Sequence, residues 1–168
     1  MAINSKTKGN CNERAAAQVL TEWTGHEFVR VPQSGGLGWD NKQDVCGDLI
    51  STDKDFDCFL SIETKHYRSL GLKKSIHLLR DNSVVYRFME QCKRDAKTAG
   101  KKPFLMLREN GMKSGTWYIF LPVSFSEHLK FINYLPIRYS NRDNTIIGFN
   151  SEIFFEKISY KLLKWIYG

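Results

Sequence analysis

No stretch of the 168-residue chain approaches the roughly 18 consecutive apolar residues that a membrane-spanning helix needs. The opening segment, MAINSKTKGN, lacks the apolar heart of a signal peptide. No strongly basic amphipathic helix of the membrane-surface kind stands out. These absences predict a cytoplasmic protein with no membrane partner. There is no repeat and no low-complexity tract, which excludes solenoids and biased tails. The four cysteines, Cys11, Cys46, Cys58 and Cys92, are 35, 12 and 34 residues apart, with no CxxC and no Cys/His cluster. That spacing does not fit a zinc site, and free thiols are expected in a reducing compartment. Acidic residues are also in deficit: 18 Asp/Glu against 25 Lys/Arg leave a formal charge of +7. The excess suits a polyanionic partner such as nucleic acid, through attraction to phosphate and counterion release. The length suits one domain, 1–168, long enough to bury a sizeable core.

Periodicity places the elements. Ala15, Ala16, Val19, Leu20 and Trp23 recur at helical spacing over residues 10–23, with Asn10 as N-cap and Gly25 past the end. EFVRV (27–31) reads as a short strand stopped by Pro32, and QSGGLGWDNKQ (33–43) as a Gly-rich loop. GDLIS and CFLSIETKH read as two strands joined by the acidic turn TDKDFD, which predicts a hairpin. A basic connection, 67–82, leads to a second helix, 84–99, whose stripe is Val85, Phe88, Met89, Cys92, Ala96 and Ala99. PFLML and TWYIFLPV read as strands around the turn ENGMKSG, followed by a short helix near 124–131 and a helix from about 152 to 167. The order α-β-β-β-α-β-β-α describes an α/β sandwich with a mixed sheet and no internal boundary.

One strand carries charges at its end. Side chains alternate across a strand, so Leu60, Ile62 and Thr64 share one side, and Phe59, Ser61, Glu63 and Lys65 the other. A loose surface pair accounts for Glu63 and Lys65 as well as a catalytic centre does. Three other features bear on the choice. Asp48 opens the preceding strand, and pairing would bring it near Glu63; two close carboxylates repel and attract a hard divalent cation, Mg²⁺ or Mn²⁺. As a competing role, Asp48 is a good turn residue after Gly47. Glu13 lies in the first helix, either reaching back in an Asn10-x-x-Glu13 capping box or pointing toward the metal. The loop VPQSGGLGW offers amide N–H groups and the Ser34 hydroxyl for close approach to a phosphate backbone, or is an ordinary surface loop.

The combination NERAAAQVL, RVPQSGG, DVCGDLI and FLSIETKHY resembles the PD-(D/E)xK nuclease superfamily, in particular its Holliday-junction-resolvase-like branch and related phage nucleases. Residues 10–66 carry the specific resemblance. EQCKRDAKTAGKKPFLMLREN is similar to phage members, and nothing beyond about residue 122 matches specifically. The resemblance implies a restriction-endonuclease-like core: a mixed central sheet flanked by helices. It implies a Mg²⁺- (or Mn²⁺-) dependent endodeoxyribonuclease that resolves branched DNA such as Holliday junctions, in recombination or repair. It further implies a homodimer, in a bacterial cell or phage-infected host. Under it Asp48, Glu63 and Lys65 match the catalytic Asp, Glu and Lys, Glu13 the helix Glu and Ser34 the loop Ser. Asp48, Glu63, Glu13 and the Thr64 carbonyl would hold metal. Arg30, Ser34, Gly35, Gly36, His66, Arg68, Lys73, Lys74 and Gln91 would meet DNA. Gly47 stands where the motif's name has Pro, and Asp44 and Asp40 are rivals to Asp48. The resemblance places no counterpart for the basic 67–82 segment, so it leaves the substrate preference open. A nicking, repair or restriction-like nuclease, or a non-catalytic DNA-binding module on the same fold, are the alternatives.

Overall fold

The computed structural model describes residues 5–31, 47–70, 84–125, 137–140 and 145–168. The chain runs α1 (Ser5–Thr24), β1 (Phe28–Arg30), β2 (Leu49–Ser51), β3 (Leu60–Tyr67), α2 (Val84–Thr98), β4 (Lys102–Glu109), β5 (Tyr118–Pro122), β6 (Ile137–Ser140), β7 (Thr145–Asn150), α3 (Ser151–Lys157) and α4 (Tyr160–Tyr167). Five strands form a mixed sheet in the order β3-β4-β5-β7-β6, and β1 with β2 form a separate two-stranded ribbon. Strands β3 and β4 are parallel, with Glu63 opposite Leu105, and the remaining pairs of the sheet are antiparallel. The parallel pair requires a crossover, and α2 lies within it.

Alternation along each strand divides the interior in two. Leu60, Ile62, Phe104, Met106, Ile119, Leu121, Ile147 and Phe149 face α1, α3 and α4, together with Ala16, Leu20, Phe154 and Leu163. Leu105, Leu107, Phe120 and Ile146 face α2, against Val85, Met89 and Cys92. Helices thus cover both faces of a mixed sheet, the architecture expected of the chain. None of the described helices is long and apolar enough to cross a membrane.

Several expectations are corrected. Helix α1 begins at Ser5, so Asn10 is not its N-cap and Glu13 lies in the helix interior, where a capping box cannot form. Strands β2 and β3 are not a hairpin. Strand β2 pairs antiparallel with β1, and its approach to β3 includes the parallel bridge between Gly47 and Ile62. The hairpin strands β6 and β7 were not anticipated. The final helix is two, because Ile158 leaves the helical conformation and Ser159 caps α4 by accepting from the Leu162 N–H at 3.2 Å. Most of the helix expected near 124–131 lies outside the described residues.

Candidate active site

Glu63 and Lys65 lie two apart on β3, on the α2 side, as alternation requires. Asp48 reaches them from the ribbon side. Its N–H donates to the Ile62 carbonyl at 2.8 Å, and its own carbonyl accepts from Val31 N–H, also at 2.8 Å. Its Oδ2 accepts from the Thr64 N–H at 2.9 Å. The edge of β3 turned away from β4 is therefore capped by a side chain. Gly47 makes the approach possible. Its φ is +86°, and a Cβ there would stand 2.4 Å from the Ile62 carbonyl oxygen, which excludes any side chain without backbone movement.

Three charges converge. Lys65 Nζ is 3.3 Å from Asp48 Oδ2 and also pairs with Glu63 Oε1. Gln91, from α2, donates to the same Glu63 oxygen at 3.0 Å. Glu63 is only 3% exposed. Burial, and then the nearby Asp48 charge, push its carboxyl above the ordinary range against the pull of Lys65. Burial works against the Lys65 charge, but the two carboxylates outweigh it and hold the ammonium above its usual range. Lys65 thus occupies the position where two repelling carboxylates need positive charge.

Glu13 is buried on α1 with its Oε2 2.8 Å from Arg30 Nε. Arg30 pairs in register with Leu49, the residue after Asp48, so the ribbon carries both Asp48 and the partner of Glu13. Among the described residues no three His, Cys, Asp or Glu side chains gather as a metal cluster; the acidic pair is Asp48 and Glu63. Its donors are hard oxygens, which fit Mg²⁺ or Mn²⁺ and not a thiophilic ion. The Thr64 side chain faces α1, where its Oγ1 accepts from Asn12 Nδ2 at 2.8 Å. Its N–H faces Asp48, and because N–H and C=O of one strand residue share an edge, its carbonyl lies along that edge too.

His66 lies on the Thr64 side of the strand, near Lys8, Arg108 and Asn110. Partial burial and then the two cations lower its pKa to about 4. The ring is neutral at physiological pH, and its Nε2 is buried with no hydrogen-bond partner among the described residues. Arg68 is exposed just past β3. Ser34, Gly35, Gly36, Asp40, Asp44, Lys73 and Lys74 lie outside the described residues. Sequence reasoning missed Asn12. This buried residue links Thr64 to Trp117, whose Nε1 donates to Asn12 Oδ1 at 3.0 Å. The available signal was a polar residue within the helical apolar stripe.

A mixed sheet covered by helices, with an Asp at a strand edge facing Glu-x-Lys on that strand, defines a nuclease of the PD-(D/E)xK kind. A family model described as "Phage putative PDDEXK endonuclease" matches residues 4–163; the chain belongs to that family. It is 29% identical over 126 residues to Protein D14 of Escherichia phage T5, covering 74% of each chain. Among solved structures it is similar to Hjc, a Holliday junction resolvase of Archaeoglobus fulgidus, with a TM-score of 0.40 and 16% identity over 90% of this chain and 95% of that one.

Proposed function

We propose that the protein is a divalent-metal-dependent DNA endonuclease that acts as a homodimer on branched DNA such as Holliday junctions. The observation that carries the reading is the meeting of Lys65 Nζ with both Asp48 and Glu63, the first beside the ribbon and the second on the main sheet. Asp48, Glu63 and the Thr64 carbonyl would hold Mg²⁺ or Mn²⁺, with Glu13 acting directly or through water. Such an ion lowers the pKa of a bound water and neutralises charge gathering on the phosphate.

The chain's own groups do the rest. Lys65 orients the attacking water or meets the developing charge through its ammonium. Gln91 fixes one Glu63 oxygen and leaves the other for the metal. Arg30 and Ser34 position the scissile phosphate, and Gly35 and Gly36 take part in binding DNA. Arg68, Lys73 and Lys74 hold flanking phosphates, and His66 approaches DNA as a neutral ring. The similarity of residues 10–66 to junction resolvases supports the branched substrate. A four-way junction has two strands to cut about a two-fold axis, which two copies of one chain supply.

The test is a cleavage panel of four-way junction, flap, duplex and single strand, with Mg²⁺, Mn²⁺ or a chelator. Metal-dependent cutting is expected, strongest on branched DNA, together with a dimeric mass by light scattering. Glu63→Gln should lose cleavage and retain binding. If the wild-type protein with either metal cuts none of the four, the reading fails.

A further inference from the structure

The row of β3 that carries Glu63 and Lys65 does not end at Lys65. Tyr67 is the next residue on the side that carries Glu63 and Lys65, about 7 Å further along at strand spacing. It is 45% exposed, and Trp165 is the other large hydrophobic residue exposed among the described residues. Tyr67 is braced from behind. Its ring centroid is 5.8 Å from that of Phe88, tilted by 65°, and half-buried Phe88 packs on the Val85, Met89, Leu105 and Leu107 cluster. Phe88 and Gln91 are three apart on α2 and so share a face. One helix face thus holds both the Glu63 carboxylate and the Tyr67 ring. The exposed cations Arg68 and Arg87 neighbour these two rings in sequence.

We propose that Tyr67, backed by Phe88, is a stacking platform for a nucleobase beside the Asp48–Glu63–Lys65 centre. This rests on the nuclease reading and deepens it by naming a feature of the substrate. A base inside a continuous duplex has both faces covered by its neighbours. A fixed aromatic ring next to the scissile phosphate gains full stacking contact only where a base is free of its stack, at a branch, flap, gap or single strand. Stacking of this kind is sequence-tolerant. Tyr67 therefore selects nucleic-acid structure without selecting sequence.

The experiment places 2-aminopurine in DNA as an unpaired base at a branch, in a single-stranded flap, or paired within a duplex. It is read with full-length Glu63→Gln protein and with that variant also carrying Tyr67→Ala or Tyr67→Phe. Binding should quench the unpaired probe, Tyr67→Phe should preserve the quenching, and Tyr67→Ala should remove it. In the cleavage-competent background, Tyr67→Ala should reduce the preference for unpaired over paired substrate by about tenfold, mainly through KM. The proposal is overturned if Tyr67→Ala, with an unchanged melting midpoint, keeps both quenching and preference. It is equally overturned if Tyr67→Phe fails as Tyr67→Ala does, since the hydroxyl would then be the contact. Absence of cutting by the wild-type protein would count against the nuclease reading alone, because quenching judges the platform independently.

Discussion

The surroundings of Glu63 disfavour its charged form. Its folded pKa lies above the ordinary 4.5 because of burial and Asp48. Between that value and the folded one, the folded protein binds more protons than the unfolded chain, so this group's contribution to stability falls as pH rises through the window. A glutamine side chain at this position would keep the shape without the charge. Glu63→Gln should therefore melt at or above the wild-type temperature at pH 8, with the difference vanishing near pH 4. A midpoint several degrees below wild type at pH 8 would show that the Lys65 pair outweighs the burial. Lys65→Met should have the opposite effect, lowering the midpoint at pH 8 and less so at pH 4, because it leaves two facing carboxylates without their ammonium. Gly47 is a second residue with no freedom to vary. Ala there combines a φ of +86° with a backbone clash at Ile62, each worth about 1–3 kcal/mol. Urea denaturation of Gly47→Ala should show a loss of at least about 2 kcal/mol, and the displaced Asp48 should reduce activity as well.

At the scale of elements, Asn12 pins α1 to the sheet by joining Thr64 on β3 to Trp117 ahead of β5. Asn12→Leu would leave two buried polar groups without partners, and each costs about 1–3 kcal/mol. A destabilisation of about 2–4 kcal/mol by denaturant titration is the expected outcome, and a neutral result would mean that water replaces the amide. The same element shows where sequence signals stop. The row Ala16, Leu20, Trp23 was legible because burial at period 3.6 leaves its mark. The first turns from Ser5 carry no apolar row and were missed. The alternation of Ile62 and Thr64 against Glu63 and Lys65 was legible for the same kind of reason. The partner of β3 was not. The acidic link Thr52–Asp57 reads as a hairpin turn, and nothing local reveals that β3 pairs with β4, 35 residues beyond the end of β3. Asp48 and Glu63 do come together, though beside a parallel bridge and not across a hairpin. The β6–β7 strands escaped because short apolar runs such as IRYS and TIIGF carry no decisive period.

The whole molecule carries +7 around a centre whose two carboxylates repel phosphate. Affinity for DNA must then come from cations spread over the surface and should be strongly salt-dependent. With Glu63→Gln protein, fluorescence anisotropy should show binding to a labelled junction weakening more than about tenfold between roughly 50 and 200 mM salt, linearly in log–log form. A flat dependence would argue against a phosphate-tracking surface. The parallel pairing of β3 with β4 also bears on synthesis. Asp48, Glu63, Lys65 and Gln91 have all been translated by residue 98, yet the strand that flanks β3 begins only at Lys102. A nascent chain stalled at the end of α2 would carry all four groups with no β4 to pair with β3. Under the proposed function, a working site would then form only once β4 has left the ribosome.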